Sequence, residues 1–361
     1  MKVKKIECLL LAEDYPDNNG GVSLMYIHTR NKYYIKNNIN VTVLNFRAKK
    51  NYIVDGIQVI TLKSYEKERK TYNVLILHAP NIKHHFLFLL KYGTYFKNNI
   101  FFFHGHEILR TKNEYPTPYE YFKTNKLKNE LIDLYDKLKL KIWSIYIPKI
   151  IPKSYLVFVS NWMYKKFIEY TNIETKLLDG RTKVIYNSIG ADFENNKYDK
   201  DSKKEYDYIT IRSNIDGSKY CIDILNNYAL KNPDKKFLLI GKGNYFKYNQ
   251  IAKNITWIDS NFKHKEIIKN LNNANCAFMP TRTDAQGVMV CEMVAFGIPV
   301  ITSDIEICHE IFDGVRNVNF INNDNCKLLT NNSLSKVIIE DKRFYQNNTV
   351  AKEVELIKSL V

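Results

Sequence analysis

The chain is 361 residues long and 45% hydrophobic, with 54 Lys and Arg against 38 Asp and Glu, a net charge of +16. That length exceeds what one growing core usually fills, so two domains of about 180 residues are expected, and no apolar run approaches the roughly 20 residues of a membrane-spanning helix. The excess charge fits an anionic partner, whether nucleic acid, an anionic membrane face or a phosphorylated small molecule, or else a composition bias that fills solvated faces with lysine; the basic residues are scattered and form no arginine-rich stripe, so nucleic acid is not expected.

The first element is a strand within Lys4–Ala12. Basic residues ahead of this apolar run superficially imitate a secretion signal, but Glu7 interrupts it and no small-x-small cleavage site follows. The next loop carries Gly20 and Gly21 and leads into a helix ending near Lys36; a glycine pair there lets backbone approach a ligand phosphate, or simply makes a tight turn. Further strands are expected at Val41–Phe46, Val59–Leu62, Val74–His78, Ile100–His104, Tyr155–Ser160 and Lys183–Tyr186. The run IFFFHGHE ends on His104 and His106, where a strand-end histidine can bond a sugar hydroxyl or shuttle a proton, or merely bond backbone. No third ligand accompanies this H-x-H pair, so no metal is expected.

Between Ile108 and Ser154 the chain is rich in Lys, Tyr, Leu and Ile. Its middle, Lys126–Ile150, alternates lysines with large apolar residues: such a helix packs on its own domain or lies on an anionic membrane surface. The polar stretch Asn195–Glu205 reads as a domain boundary, and Asp199-Lys200-Asp201 within it reads as a solvated charge cluster. In the second half strands are expected at Tyr208–Arg212, Lys236–Gly241, Ile255–Ile258, Cys276–Pro280, Pro299–Thr302 and Asn319–Ile321. Strands alternating with helix-length segments signal α/β layering with parallel sheets, used twice. The six cysteines, Cys8, Cys221, Cys276, Cys291, Cys308 and Cys326, show no C-x-x-C spacing and fit reduced core residues of a cytoplasmic protein.

Met279–Thr302 is the most informative stretch. A buried strand is followed by a polar loop holding Asp284, then by Gly287 and an apolar helix from Val288 to Phe296. A helix opening after the carboxyl end of a parallel strand aims its free N–H groups into the crevice, where a diphosphate can bind. Glu292 lies about 7 Å along that helix and can accept both hydroxyls of a ribose, while Asp284 can face a sugar ring. The alternatives are a loop or capping carboxylate for Asp284 and an ion-pair member for Glu292.

The order D-x(2)-G-x(4)-E, then M-x-A-x-G-x-P-V-I, places Asp284, Gly287, Glu292, Ala295, Gly297 and Pro299 in register. It resembles the donor-site signature of retaining GT-B glycosyltransferases, family 4 (glycosyl transferases group 1), with Asp for the first Glu and Ala285-Gln286 for Gly-Phe. The resemblance extends in order along nearly the whole chain and implies an α/β GT-B fold: two facing Rossmann-like domains with a cleft between them. Residues 1–195 would form the acceptor-side domain and 206–345 the nucleotide-sugar domain, with 346–361 a helix crossing back to the first.

The same resemblance implies that Gly20 and Gly21 face the donor diphosphate, that His104 lies beside the transferred sugar with His106 on the acceptor side, and that Arg212 and Lys219 hold the leaving diphosphate. Gln286, Gly287, Val288 and Glu292 would bind the donor, and Ile258 would meet the nucleobase. The activity implied is transfer of a sugar from a nucleotide donor, a UDP-sugar by analogy, to a glycan or lipid-linked acceptor in bacterial surface glycan synthesis, with retention and with neither metal nor cofactor. The expected setting is cytoplasmic, with peripheral contact on the inner membrane face left open. Two other readings remain: a basic nucleic-acid- or membrane-binding protein on a silent scaffold, and another GT-B enzyme such as a sugar-nucleotide epimerase.

Overall fold

The computed structural model describes residues 5–17, 24–325 and 341–361. The chain forms two compact units: Met1–Thr111, Ile132–Ser188 and Gln346–Val361 make the first, Lys112–Leu131 and Ile189–Tyr345 the second. The polar stretch 195–205 therefore belongs within the second unit and not between the two. The Tyr198 N–H donates to Phe296 O (2.7 Å) and its hydroxyl to Ala274 O (2.8 Å), while Asp199 Oδ1 accepts the N–H groups of Asp201 and Ser202, so this acidic pair folds as a local turn.

The first unit has eight strands: β1 (Ile6–Ala12), β2 (Ile39–Asn45), β3 (Tyr52–Val54), β4 (Ile57–Ile60), β5 (Val74–His78), β6 (Asn98–Phe103), β7 (Ser154–Phe158) and β8 (Thr182–Val184). Their order in the sheet is β3-β4-β2-β1-β5-β6-β7-β8. All pairings are parallel except β3 with β4, a hairpin turning at Asp55-Gly56. Runs such as CLLLA and NIFFF are apolar on both faces because helices cover both sides of a parallel sheet.

Val350, Val354, Leu356 and Ile357 of the last helix (Val350–Ser359) join the core of this unit. The same helix supplies Glu353, fully buried, whose carboxylate accepts from Arg30 Nε at 3.0 Å and from the Tyr34 hydroxyl. Arg30 completes its fork with bonds to Asn187 Oδ1 (2.6 Å) and Tyr26 O (3.2 Å). Burial lifts the Tyr34 phenol well above its ordinary range, with the Glu353 charge adding to the effect.

The second unit is a six-stranded parallel sheet of β9 (Tyr206–Asn214), β10 (Phe237–Lys242), β11 (Ile255–Ile258), β12 (Ala274–Phe278), β13 (Val300–Ser303) and β14 (Val318–Ile321). The order β11-β10-β9-β12-β13-β14 reverses direction between β9 and β12. In doubly wound sheets a ligand binds beyond the carboxyl ends of the strands at such a reversal. The corresponding reversal in the first sheet lies between β1 and β5. The five described cysteines are buried and form no disulfide with one another.

Candidate functional site

The reversal in the second sheet brings Arg212, near the end of β9, to the loop that follows β12. Arg212 is buried and donates from Nη2 to Pro280 O at 2.6 Å. Its guanidinium lies 5.2 Å from the Tyr220 ring centroid. Among the described residues no carboxylate stands at ion-pair distance, and Nε has no hydrogen-bond partner. Burial lowers its proton affinity, and the more distant Asp284 carboxylate and Tyr220 partly oppose that. A guanidinium stays charged in proteins, so this is a buried cation with unused donor capacity.

The β9–β10 approach depends on Gly241, since a Cβ there would stand 2.2 Å from Arg212 O. Lys219 belongs to the same corner: its carbonyl accepts from Arg282 N (3.0 Å) and Thr281 Oγ1 (3.1 Å), and its ammonium lies 4.7 Å from the Tyr220 centroid. Arg282, which the sequence reading passed over, pairs bidentately with Asp223 at 3.0 and 2.6 Å and also holds Ser218 O. It thereby ties the loop carrying Lys219 to the loop after β12.

Asp284 Oδ1 accepts the N–H groups of Ala285 (2.7 Å) and Gln286 (3.3 Å), bracing the loop before the Val288–Phe296 helix. Gly287 caps that helix at φ +75°, in the left-handed region, and a Cβ there would sit 3.3 Å from Asp284 Oδ2. Only glycine meets both demands. Gln286 is buried with its amide 3.6 Å from Cys291 Sγ, and Val288 is half-buried at the helix start. The start of this helix, the Arg212 cation and Lys219 thus share one end of the sheet.

Glu292 lies further along that helix in a nearly sealed corner: it is 4% exposed, accepts the Gly190 N–H and lies 3.5 Å from His264 Nε2. Burial pushes its carboxyl up to about 8; the Gly190 bond pulls the other way and Asp192 adds to the rise. At neutral pH it is mostly protonated and can donate as well as accept. His264, half-exposed and 3.8 Å from Asp192, is held below its ordinary range chiefly by burial. No sequence spacing pointed to His264, Gly190 or Asp192, because chain folding alone brings them to Glu292. Ile258 is half-buried at the carboxyl end of β11, two strands from Arg212 in the sheet order.

In the first unit His104 follows β6. Its Nε2 lies 2.9 Å from His78 Nδ1, and its ring packs on Tyr26 with centroids 4.7 Å apart. Burial first, and the nearby Arg30 cation second, hold the ring neutral. The backbone N–H groups of His104 and Gly105 donate to Oε1 of the buried Glu107. His106 is exposed, with its carbonyl accepting from Lys139 Nζ at 2.7 Å. Gly20 and Gly21 lie outside the described residues. Among the described residues, no group of three or more His, Cys, Asp and Glu is arranged to hold a metal ion.

Residues 209–334, which hold Arg212, Lys219, Asp284 and Glu292, match the family described as Glycosyl transferases group 1. The whole fold is similar to sucrose-phosphate synthase from Thermosynechococcus elongatus at TM-score 0.65 and 11% identity, covering 98% of this chain and 94% of that one. The fold is GT-B. WaaG, a glycosyltransferase involved in lipopolysaccharide biosynthesis, matches at TM-score 0.57 and 11% identity over 98% of this chain and 92% of its own. An E. coli trehalose-6-phosphate protein bound with UDP-2-fluoro glucose matches at TM-score 0.52 and 11% identity, covering 98% and 96%. No curated protein sequence matches the chain. Within this GT-B fold, the stretch that resembles that family surrounds the reversal in the second sheet.

Proposed function

We propose that the chain is a retaining family 4 glycosyltransferase that moves a sugar from a nucleotide diphosphate, a UDP-sugar in the first instance, to a hydroxyl of a glycan or lipid-linked acceptor in cell-surface glycan synthesis. The observation that carries this is Arg212: a buried cation with an unpartnered Nε beside a helix N-terminus, at the reversal where doubly wound sheets bind ligands. A buried charge left in this condition is costly, and an anionic ligand relieves the cost.

In this reading Arg212 and Lys219 take the diphosphate with the amides at Gly287 and Val288. Negative charge grows there as the bond from the anomeric carbon to the phosphate oxygen breaks, and fixed cations in a dry site stabilise it strongly. The acceptor oxygen bonds to the anomeric carbon, and its proton passes to the departing phosphate oxygen. No resident metal or cofactor enters these steps. Glu292 holds the ribose, Asp284 orients the sugar from its braced loop, and Ile258 meets the base. His104, a neutral imidazole, contributes hydrogen bonds on the acceptor side with His106 further out, and Gly20 and Gly21 give a phosphate room.

The test is a panel of nucleotide sugars screened by thermal shift, followed by nucleotide release with the wild type, Arg212→Ala and Glu292→Ala. Release is expected to fall about 10²- to 10³-fold for Arg212→Ala, and donor binding to weaken for Glu292→Ala. Unchanged rates in both variants would remove the site assignment. Conversion of the donor to its epimer without acceptor would replace transfer by epimerisation.

A further inference from the structure

The carboxyl ends of β5 and β6 bring two histidine rings together. His78, the last residue of β5, stands in register with Phe102 of β6, and His104 follows Phe102 by two residues, the spacing that returns a side chain to the same face. The His78 ring lies nearly parallel to both, with centroids 4.4 Å from Phe102 and 5.2 Å from His104. A bond of 2.9 Å between His78 Nδ1 and His104 Nε2 joins the pair in the middle. The two outer nitrogens, His78 Nε2 and His104 Nδ1, are buried and have no hydrogen-bond partner among the described residues.

The backbone under His104 is anchored from elsewhere. Glu107 takes the N–H groups of His104 and Gly105. Lys139, on the inner face of the Lys126–Ile150 helix, donates to His106 O at 2.7 Å, Leu109 O at 2.9 Å and Asp136 at 2.6 Å. The same helix takes Arg110 Nη2 on Asp133 at 2.5 Å and the Thr111 N–H on Asp136 at 2.7 Å. With the loop so fixed, the chemistry of His104 depends on where its ring carries the proton.

Burial first, and His104 second, keep His78 neutral, and His104 is neutral too. Each ring therefore holds one proton, and the bond between them can run in two directions. If His104 donated, His78 would carry its proton on Nε2, an N–H with no acceptor in a ring only 1% exposed. If His78 donates from Nδ1, that buried end keeps a bare lone pair. The unmet N–H then falls on Nδ1 of His104, the less buried ring beyond the strand end. An orphaned N–H in a sealed interior is the rarer and costlier of the two, and a ligand can relieve it at the His104 end.

We propose that His78 is the positioning residue of the acceptor side: it donates to His104 Nε2 and so fixes His104 as an Nδ1–H donor, which gives a hydrogen bond to a sugar hydroxyl and takes no proton from it. Both nitrogens of His104 are then occupied, one by the His78 proton and one by its own, and neither can serve as a base. The hydroxyl in this statement rests on the glycosyl-transfer reading above; the direction of the bond between the rings does not.

The test is long-range proton–nitrogen NMR of the isotopically labelled full chain at neutral pH, with His78→Asn and His104→Asn assigning the two rings. Both rings are expected to be protonated on Nδ1 and bare on Nε2, the reverse of the tautomer that free histidine favours. His78→Phe removes the donor, so His104 should shift to the Nε2–H form and the transfer rate should fall about ten-fold. His78→Asn, whose amide N–H stands near the place of Nδ1–H, should keep the Nδ1–H form of His104 and a rate within about three-fold of wild type. A wild-type His104 protonated on Nε2 overturns the proposal, as does an unchanged tautomer in His78→Phe or an equal loss of rate in the Phe and Asn variants. The expected tautomers in a chain that transfers no sugar from any nucleotide donor would support the His78 bond while removing the transfer reading.

Discussion

Arg30 and Arg212 are both buried, one in each unit, and they are treated in opposite ways. Arg30 uses its whole fork: Glu353 neutralises it, and Asn187 and Tyr26 take further N–H groups. Arg212 is given one carbonyl, an aromatic ring and a distant carboxylate, with Nε left over. Burial and residue type are the same, so satisfaction is what separates a cation that holds the fold from one held ready for a ligand.

The largest effect expected from this contrast is in stability. Arg30→Met strands Glu353 as an unpaired buried acid and should cost about 3–5 kcal/mol in chemical denaturation. Arg212→Met, by contrast, should leave stability within about 1 kcal/mol of wild type, because a solitary buried charge is exchanged for an apolar side chain of similar volume. If both variants unfold equally early, the distinction between the two arginines is lost.

A smaller effect concerns Glu292, whose folded carboxyl titrates at about 8 against an ordinary value of 4.5. Between these values the folded state keeps a proton that the unfolded state has released, so stability is fully present below the ordinary value and declines as pH rises towards 8. Glu292→Gln cannot ionise, and its melting temperature should gain on the wild type progressively across that window. A constant difference from pH 5 to pH 8 would mean that burial does not govern this carboxyl.

The fold was legible because parallel strands covered on both faces are written as continuous apolar runs, and Val74–His78 and Ile255–Ile258 could be read to the residue. The short β3 strand was missed although Asp55-Gly56 marks its turn, since three residues are too few to show a period. The Asp284–Glu292 block was legible because a strand, a glycine-led helix and two acids fall within a few turns of chain. The surroundings of Glu292 were not: Gly190 and His264 arrive from distant segments, and nothing local encodes a meeting of that kind. For Lys126–Ile150 the period announced a helix, but which face turned inward depended on Arg110 and Thr111, outside the helix.

The pairing of Arg30 with Glu353 spans 323 residues, and it bears on the order in which the molecule is made. On the ribosome the first unit emerges early yet lacks its closing helix until the second unit has been translated, so its guanidinium must wait unneutralised and its sheet partly uncovered. Nascent chains stalled before residue 350 should therefore remain protease-sensitive in their N-terminal half, and that half becomes resistant only when the final helix is released.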